Sequence, residues 1–248
     1  MIFVNMKNTI KFILVNFYSQ INKNIDGKVL YYHDIFKSVQ YTNMGTHLKL
    51  FMKHIDVIYK NGFCIVNRLP YNTKEINICL DDAWAGIWEV RDYFIDNKIF
   101  PTIFVALDLI GKDGYLSLKQ ILFLQNEGFN FQSHTCSHRD LTSLNSEELI
   151  FELAESKRKL SIILNKEIDS ICYPMGFYNG SILSLSFSLG YKYIYLSVPG
   201  SCIESNTIIN RNLVQDASPK LLKNILYGGL DVLKKRTNKR HNKYFREL

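Results

Sequence analysis

Residues 76–82, Ile-Asn-Ile-Cys-Leu-Asp-Asp, form an apolar, strand-like run that ends in two adjacent carboxylates. Two later runs have the same organisation: residues 129–133 lead into His134-Thr-Cys-Ser-His138, and residues 170–173 lead into Pro174-Met-Gly176. Polar groups that follow parallel strands meet at the carboxyl-terminal edge of the sheet. We therefore expect these three segments to converge on one site.

The rest of the chain predicts strands that alternate with helices. Strand-like runs also cover residues 29–33, 63–66, 102–107, 191–197 and 208–214, and helical periodicity covers 44–61, 86–97, 116–127, 146–164, 180–189 and 218–235. Asn145, with Glu148 three residues later, is a candidate N-cap of the longest helix. This alternation predicts βα units and a mostly parallel sheet.

The sequence thus predicts an α/β fold, a closed or nearly closed (β/α) barrel in a single domain. The barrel covers residues 28–217, after an apolar and basic segment (1–27) and before a C-terminal helix with a basic tail (218–248). No linker rich in Gly, Ser or Pro marks a second domain.

Charge and cysteine usage exclude several classes of protein. The net charge is +7, but residues 1–30 and 231–248 hold the excess of Lys and Arg, so the body is not a basic nucleic-acid reader. No RNA-binding signature or zinc-finger spacing is present, and we expect no nucleic-acid partner. The five cysteines form no Cys-x-x-Cys pair, which indicates free thiols and a cytoplasmic location.

The N-terminal segment allows two interpretations. Lys7 and Lys11 precede an apolar run, residues 12–18, which Asn16 interrupts. One interpretation is a retained amphipathic segment that, with the basic tail, makes peripheral contact with an anionic membrane at its inner face. The other is an ordinary first helix packed on a soluble body. No stretch of 18 apolar residues exists, so a spanning helix is excluded.

The polar strand ends predict a metal site. His134 and His138 face the same way if their segment is one helical turn, so both imidazoles can reach one metal. A carboxylate from a neighbouring strand then completes a set of two histidines and one carboxylate. Adjacent carboxylates such as Asp81 and Asp82 repel each other unless a cation neutralises one, and the other is left as a base.

Three motifs resemble those of the polysaccharide deacetylases, carbohydrate esterase family four. Cys79-Leu-Asp-Asp-Ala83 is similar to the family's Thr-Phe-Asp-Asp-Gly, Ser133-His-Thr-Cys-Ser-His138 to its second motif, and Ile171-Cys-Tyr-Pro-Met-Gly176 to its third. The resemblance runs from about residue 28 to 214. It implies a distorted (β/α) barrel that removes acetyl groups from N-acetylated sugars with one divalent metal, usually zinc.

The resemblance also implies roles for individual residues. Asp82, His134 and His138 would be the metal ligands, and Asp81 would be the general base that takes a proton from the attacking water. The backbone N–H near Met175 would stabilise the oxyanion.

The chain departs from the family pattern at several positions. Ala83 stands where the family has Gly, and Cys172 stands where it has the arginine that orients the base. The late Leu-x-His motif, the usual source of the acid, is absent, and His241 lies in what we expect to be a solvated tail.

Two residues are candidates for the missing roles. Leu30-Tyr-Tyr-His33-Asp34 resembles the opening segment of the branch that acts on poly-N-acetylglucosamine, which implies that His33 is the acid; the alternative is a packed histidine. Arg211 is a candidate orienter of Asp81, or else an ordinary surface arginine.

The sequence analysis ends in one preferred function and three alternatives. The preferred function is a metal-dependent de-N-acetylase of a surface glycan or its lipid-linked precursor, with Trp84, Tyr173 and Tyr178 as candidate sugar contacts. The alternatives are an O-deacetylase, another amide hydrolase, or a catalytically weak carbohydrate-binding protein.

Overall fold

The computed structural model describes residues 2–202 and 207–242. The described strands are β1 (Lys28–Tyr32), β2 (Asp34–Phe36), β3 (Gly45–His47), β4 (Cys64–Ile65), β5 (Glu75–Leu80), β6 (Thr102–Val105), β7 (Asn130–Ser133), β8 (Ser170–Cys172), β9 (Tyr193–Leu196) and β10 (Ile208–Leu213). The described helices are α1 (Ile2–Ile21), α2 (Leu48–Lys60), α3 (Gly86–Glu89), α4 (Arg91–Asp96), α5 (Leu118–Asn126), α6 (Ser146–Leu164), α7 (Gly180–Ser188), α8 (Pro219–Leu226) and α9 (Lys234–His241).

Strand β1 closes the sheet into a barrel. It pairs in parallel with β5 on one side and with β10 on the other, and β6 to β9 complete the ring in chain order. The ring has seven parallel strands, and β4 pairs with β5 outside it. This arrangement confirms the predicted single-domain (β/α) barrel. Strands β2 and β3 form a separate two-stranded parallel sheet after β1.

The period-two alternation of each strand separates two apolar clusters. Successive side chains of a strand point to opposite faces. One cluster fills the interior of the barrel and contains Val29, Tyr31, Cys79, Phe104, Cys172, Tyr195 and Ile209. Their strand neighbours, among them Leu30, Ile78 and Ile194, belong to the larger cluster between barrel and helices. Three of the five cysteines are therefore interior packing residues of the barrel: Cys79, Cys172 and Cys202.

Local sequence signals set the ends of two major helices. The predicted capping box of α6 is confirmed, because the Asn145 side chain accepts from the Glu148 N–H while the Glu148 carboxylate accepts from the Asn145 N–H. Helix α5 begins with an equivalent box at Ser117 and Gln120. Each box satisfies backbone donors that the first turn of a helix leaves unpaired.

Three predicted helices were wrong in extent. The helix predicted over 86–97 is two short helices, α3 and α4, that meet at Val90. The helix predicted over 218–235 breaks at Gly228, where φ is 82°, and continues as a 3₁₀ turn over Gly229–Leu233. The helix predicted from residue 44 begins at Leu48, because residues 45–47 pair with β2.

Helix α1 lies outside the barrel and packs against α8 and the 3₁₀ turn. Asn16 accepts a hydrogen bond from the side chain of Asn224 at 3.1 Å, and Val15 is fully buried. Within residues 2–202 and 207–242, no helix is both long enough and apolar enough to cross a membrane. Lys243 and Arg246 of the predicted basic tail lie outside the described residues.

The interface between α2 and the barrel gives a stability prediction. Phe51 of α2 is fully buried, stacks on Phe94 at 5.0 Å between ring centroids and meets Tyr32 edge-on at 5.3 Å. Phe51→Ala removes these contacts, and we expect it to lower the free energy of unfolding by about 3–5 kcal/mol in urea titrations.

The control is Tyr59→Ala on the exposed face of the same helix, where Tyr59 is 50% exposed. This variant should change the free energy of unfolding by no more than about 0.5 kcal/mol. Equal losses in the two variants would show that the buried contacts of Phe51 do not determine the stability of α2.

Candidate active site

The three polar segments meet in one cavity at the carboxyl-terminal ends of the barrel strands. The cavity has a volume of about 280 Å³. Its lining consists of Tyr31, His33, Met44, Asp81, Asp82, His134, His138, Tyr173, Met175, Ser197 and His241. The structure thus brings together all the residues predicted as metal ligands, base, acid and oxyanion donor, and we call this space the strand-end cavity.

Asp82, His134 and His138 form a compact set of ligand atoms. The Nε2 atoms of His134 and His138 lie 3.2 Å and 3.1 Å from Asp82 Oδ1. Neither contact has hydrogen-bond geometry, and among the described residues Asp82 Oδ1 is buried without a hydrogen-bond partner. Three donor atoms that converge in this way fit a divalent cation, and two imidazoles with one carboxylate are a donor set typical of zinc.

Neighbouring groups orient two of the three ligands. His134 Nδ1 lies 2.8 Å from the carbonyl oxygen of Cys172, which can only accept, so Nδ1 carries the proton and Nε2 presents a lone pair to the site. The indole Nε1 of Trp84 donates to Asp82 Oδ2 at 3.0 Å. The other carboxylate oxygen, Oδ1, is therefore the one that faces the histidines.

The segment from His134 to His138 is a loop, so the helical turn assumed from the four-residue spacing is wrong. Thr135 and His138 have φ values of 71° and 60°, which reverse the chain. The buried carboxylate of Glu152 in α6 accepts the backbone N–H groups of Cys136 and Ser137 at 2.8 and 2.9 Å, and also the Ser137 hydroxyl. Glu152 was not predicted from sequence; a carboxylate at a buried helical position is the signal that identifies it.

Positive φ angles are concentrated around the strand-end cavity. Such residues in the three polar segments are Asp82 (70°), Ala83 (58°), Thr135 (71°), His138 (60°) and Met175 (58°). The left-handed region favours glycine, which explains why the family has Gly where this chain has Ala83. Backbone strain of this kind clusters at functional sites.

Asp81 forms a buried ion pair with Arg211. The guanidinium Nη1 and Nη2 donate to Asp81 Oδ1 and Oδ2 at 2.6 and 2.9 Å, and both side chains are almost completely buried. Burial alone would raise the pKa of Asp81, but the charge and hydrogen bonds of Arg211 lower it below its usual value. Asp81 is therefore a carboxylate at neutral pH.

Cys172, which stands where the family's third motif has an arginine, lies beside Arg211. Arg211 comes from β10, lies over the ring of Tyr31 at 4.2 Å, and its Nη2 is 2.9 Å from Cys172 Sγ. The guanidinium thus reaches the thiol from β10, two strands away from β8 in the ring. Burial raises the pKa of Cys172, so the group is a neutral thiol beside the guanidinium.

Two histidines reach the strand-end cavity besides the ligand pair. His33 follows β1, and its Nδ1 lies 2.7 Å from the amide oxygen of Gln215. Since that oxygen accepts, Nδ1 carries a proton and Nε2 is the nitrogen left for the cavity.

The expectation that His241 lies in a solvated tail is wrong. The backbone N–H of Tyr178 donates to the His241 carbonyl at 3.1 Å, and the Tyr178 hydroxyl bonds to Asn238, so α9 is fastened beside the cavity. A Cβ on Gly176 would lie 2.8 Å from His241 Nδ1, which explains the glycine at that position. Burial and the charge of Arg240 lower the pKa of His241.

The predicted sugar contacts have different surroundings. Tyr173 lines the strand-end cavity, but its hydroxyl bonds to Ser186 at 2.8 Å. Trp84 stacks on Tyr115 with centroids 4.2 Å apart, and Tyr178 packs against α9; neither belongs to the cavity lining. Direct contact of Trp84 or Tyr178 with a sugar stays a prediction.

A sequence model of polysaccharide deacetylases matches residues 68–194, which contain both aspartates and both ligand histidines. The chain belongs to the polysaccharide deacetylase family. In Bacillus subtilis (strain 168), the relative YxkH, whose name places it among the polysaccharide deacetylases, is 29% identical over 185 residues. The alignment covers 70% of this chain but only 65% of YxkH.

Solved structures share the fold of this polysaccharide deacetylase family member. The Streptococcus pyogenes deacetylase PplD, solved in complex with acetate, superimposes with a TM-score of 0.70 at 24% identity, over 80% of this chain and 97% of PplD. IcaB from Ammonifex degensii gives a TM-score of 0.68 at 18% identity, over 83% of this chain and 98% of IcaB. At these identities the likeness concerns the barrel itself.

The indole of Trp84 gives a prediction about metal affinity. Trp84→Phe removes the hydrogen bond to Asp82 Oδ2 while keeping an aromatic ring against Tyr115. Loss of a group that orients a ligand should weaken zinc binding by about 10–100-fold in competition with a chromophoric chelator. His134→Ala should abolish stoichiometric binding in the same assay.

The matched control is Trp88→Phe, since Trp88 packs against Arg91 and Phe123 on the barrel exterior. It should bind zinc as the unmodified chain does. Unchanged affinity in Trp84→Phe would mean that the indole does not orient Asp82.

Proposed function

We propose that this chain is a metal-dependent hydrolase that removes the acetyl group from an N-acetylated sugar of a surface glycan or its lipid-linked precursor. The observation that carries the proposal is the content of one cavity. The strand-end cavity holds a three-ligand set (Asp82, His134, His138), a carboxylate kept charged by a buried arginine (Asp81), and a further histidine fixed by a hydrogen bond (His33).

The ligand set and the base have separate tasks in this proposal. Asp82, His134 and His138 would hold a divalent metal such as zinc, which would supply Lewis-acid chemistry for the acetyl carbonyl and for the attacking water. Asp81 accepts the proton of the attacking water. Arg211 holds both Asp81 oxygens, so the carboxylate is oriented as well as charged, and its basicity is kept low.

Charge that develops on the acetyl oxygen requires a fixed donor. The left-handed turn at Met175 lies in the cavity lining, and its backbone N–H is the proposed donor. The leaving amine requires a proton, which His33, as an imidazolium protonated on both ring nitrogens, supplies from Nε2 while its Nδ1–H donates to Gln215. His241 is the second candidate for this step, but its lowered pKa favours the neutral imidazole, which has no proton to spare.

The alternatives differ in what they require of these groups. An O-acetyl group leaves as an alcohol and depends less on an acid, so an O-deacetylase would use the same base and metal set without His33. A carbohydrate-binding protein would need neither a charged Asp81 nor its buried arginine partner. The retention of that pair in a cavity with three metal-ligand candidates favours hydrolysis.

Acetate release tests the proposal directly. Metal-stripped and zinc-restored protein would be incubated with N-acetylated and O-acetylated sugars, including polymers and lipid-linked forms. Zinc-dependent release from an N-acetylated member supports the proposal. Release only from O-acetylated members supports the O-deacetylase, and sugar binding without release at any zinc concentration supports the binding protein.

The role of Asp81 gives a prediction about turnover. Asp81→Asn keeps the side-chain shape but cannot take up the proton, so kcat should fall by roughly 10²–10⁴-fold while zinc stoichiometry is retained. Asp113→Asn, at an exposed loop position, is the control and should leave kcat unchanged. A near-wild-type rate in Asp81→Asn would assign the base to another group.

Substrates with different leaving groups can show whether His33 or His241 is the acid. His33→Gln should slow release of acetate from an N-acetyl substrate far more than from an activated aryl acetate, whose leaving group needs no proton. His241→Gln should affect both substrates equally. The opposite selectivity would assign the acid to His241, and equal losses in both variants would mean that neither histidine is the acid.

A further inference from the structure

Helix α1 presents an apolar face to solvent. Its large apolar side chains with the greatest exposure are Ile10 (52%), Ile13 (59%), Leu14 (45%), Phe17 (60%) and Ile21 (59%). At about 100° per residue, these positions fall within an arc of about 100° on one side of the helix. We call this face the α1 stripe.

The α1 stripe takes no part in the packing of α1 on the body of the protein. The opposite face makes those contacts: Val15 is fully buried, Ser19 is nearly so, and Asn16 bonds to Asn224 of α8. The run of residues 12–18 is therefore divided between two faces, with Phe12 and Val15 turned toward the protein. Helix α1 therefore has one face that packs on the protein and a second apolar face, the α1 stripe, that is exposed.

A cationic groove runs beside the α1 stripe. It has a volume of about 520 Å³ and lies between α1 and α8. Its lining contains the exposed lysines Lys23, Lys220 and Lys223 and no acidic side chain. The ammonium of Lys23 lies over the ring of Tyr227 at 4.8 Å, and that of Lys220 lies 5.8 Å from the ring of Phe12, so both charges border aromatic surface.

We propose that the α1 stripe and its lysine groove bind the surface of an anionic phospholipid bilayer. An apolar helical face bordered by lysines is the arrangement by which a helix lies in the membrane interface: the apolar side chains enter the boundary of the acyl chains, and the lysines meet headgroup phosphates. The proposed binding surface is α1 with α8.

Charge argues against a second copy of the chain as the occupant. Pairing two α1 stripes about a two-fold axis would bring two lysine grooves toward each other, and the chain carries a net charge of +7. A negatively charged lipid surface removes that repulsion. The proposal concerns binding to a surface and does not depend on the proposed reaction.

Flotation of the full chain with vesicles tests the proposal. The vesicles contain phosphatidylcholine alone or phosphatidylcholine mixed with phosphatidylglycerol, at low salt and at about 0.15 M salt. The chain should float with the anionic vesicles, and more weakly as salt increases. Ile13→Asn combined with Phe17→Asn, and Lys23→Gln combined with Lys220→Gln and Lys223→Gln, should each weaken binding by at least about tenfold.

Two matched controls test whether binding depends on where the changed residues lie or only on how many apolar or charged residues are changed. In the first control, Ile150→Asn with Ile162→Asn alters exposed apolar residues of α6. In the second, Lys112→Gln with Lys119→Gln and Lys159→Gln removes an equal number of exposed lysine charges outside the groove. Both should bind as the unmodified chain does. Absence of flotation at low salt, equal losses in control and test variants, or a dimer in solution that Phe17→Asn dissociates would overturn the proposal.

Discussion

The buried ion pair between Asp81 and Arg211 is the interaction on which the site depends. The two residues are 130 positions apart in sequence, and their side chains meet inside the barrel. They meet because β1 pairs with both β5 and β10, which places the end of β5 within reach of β10 across a small interior. Removing either partner would leave a buried charge uncompensated, so barrel closure and the charge state of the site are coupled.

The ion pair also explains how the chain tolerates a changed motif. The family's third motif has an arginine where this chain has Cys172, and the guanidinium is supplied instead from β10. The thiol and the guanidinium occupy complementary volumes beside Asp81. The guanidinium that meets Asp81 thus comes from a different strand than the third motif.

The remaining groups of the site are held by residues that do not touch the cavity. Glu152 fixes the loop between His134 and His138, Trp84 holds one oxygen of Asp82, and Gln215 holds His33. Each of these partners comes from a different part of the chain. Orientation by such contacts prepares the donors before a ligand arrives, which is the physical requirement of a site that must stabilise developing charge.

The sequence by itself determined the alternation of strands and helices and the capped start of α6 at Asn145, because both depend on local patterns. It also determined that the Asp81-Asp82 and His134–His138 segments converge, because parallel strands end at the same edge of the sheet. It did not determine the loop conformation around His138, the end of the helix at Gly228 or the position of His241 in the lining of the cavity. Those features depend on contacts between distant segments, namely Glu152 with the loop and Tyr178 with α9. Only the tertiary structure decides such contacts, because no periodicity in one segment encodes the position of its partner.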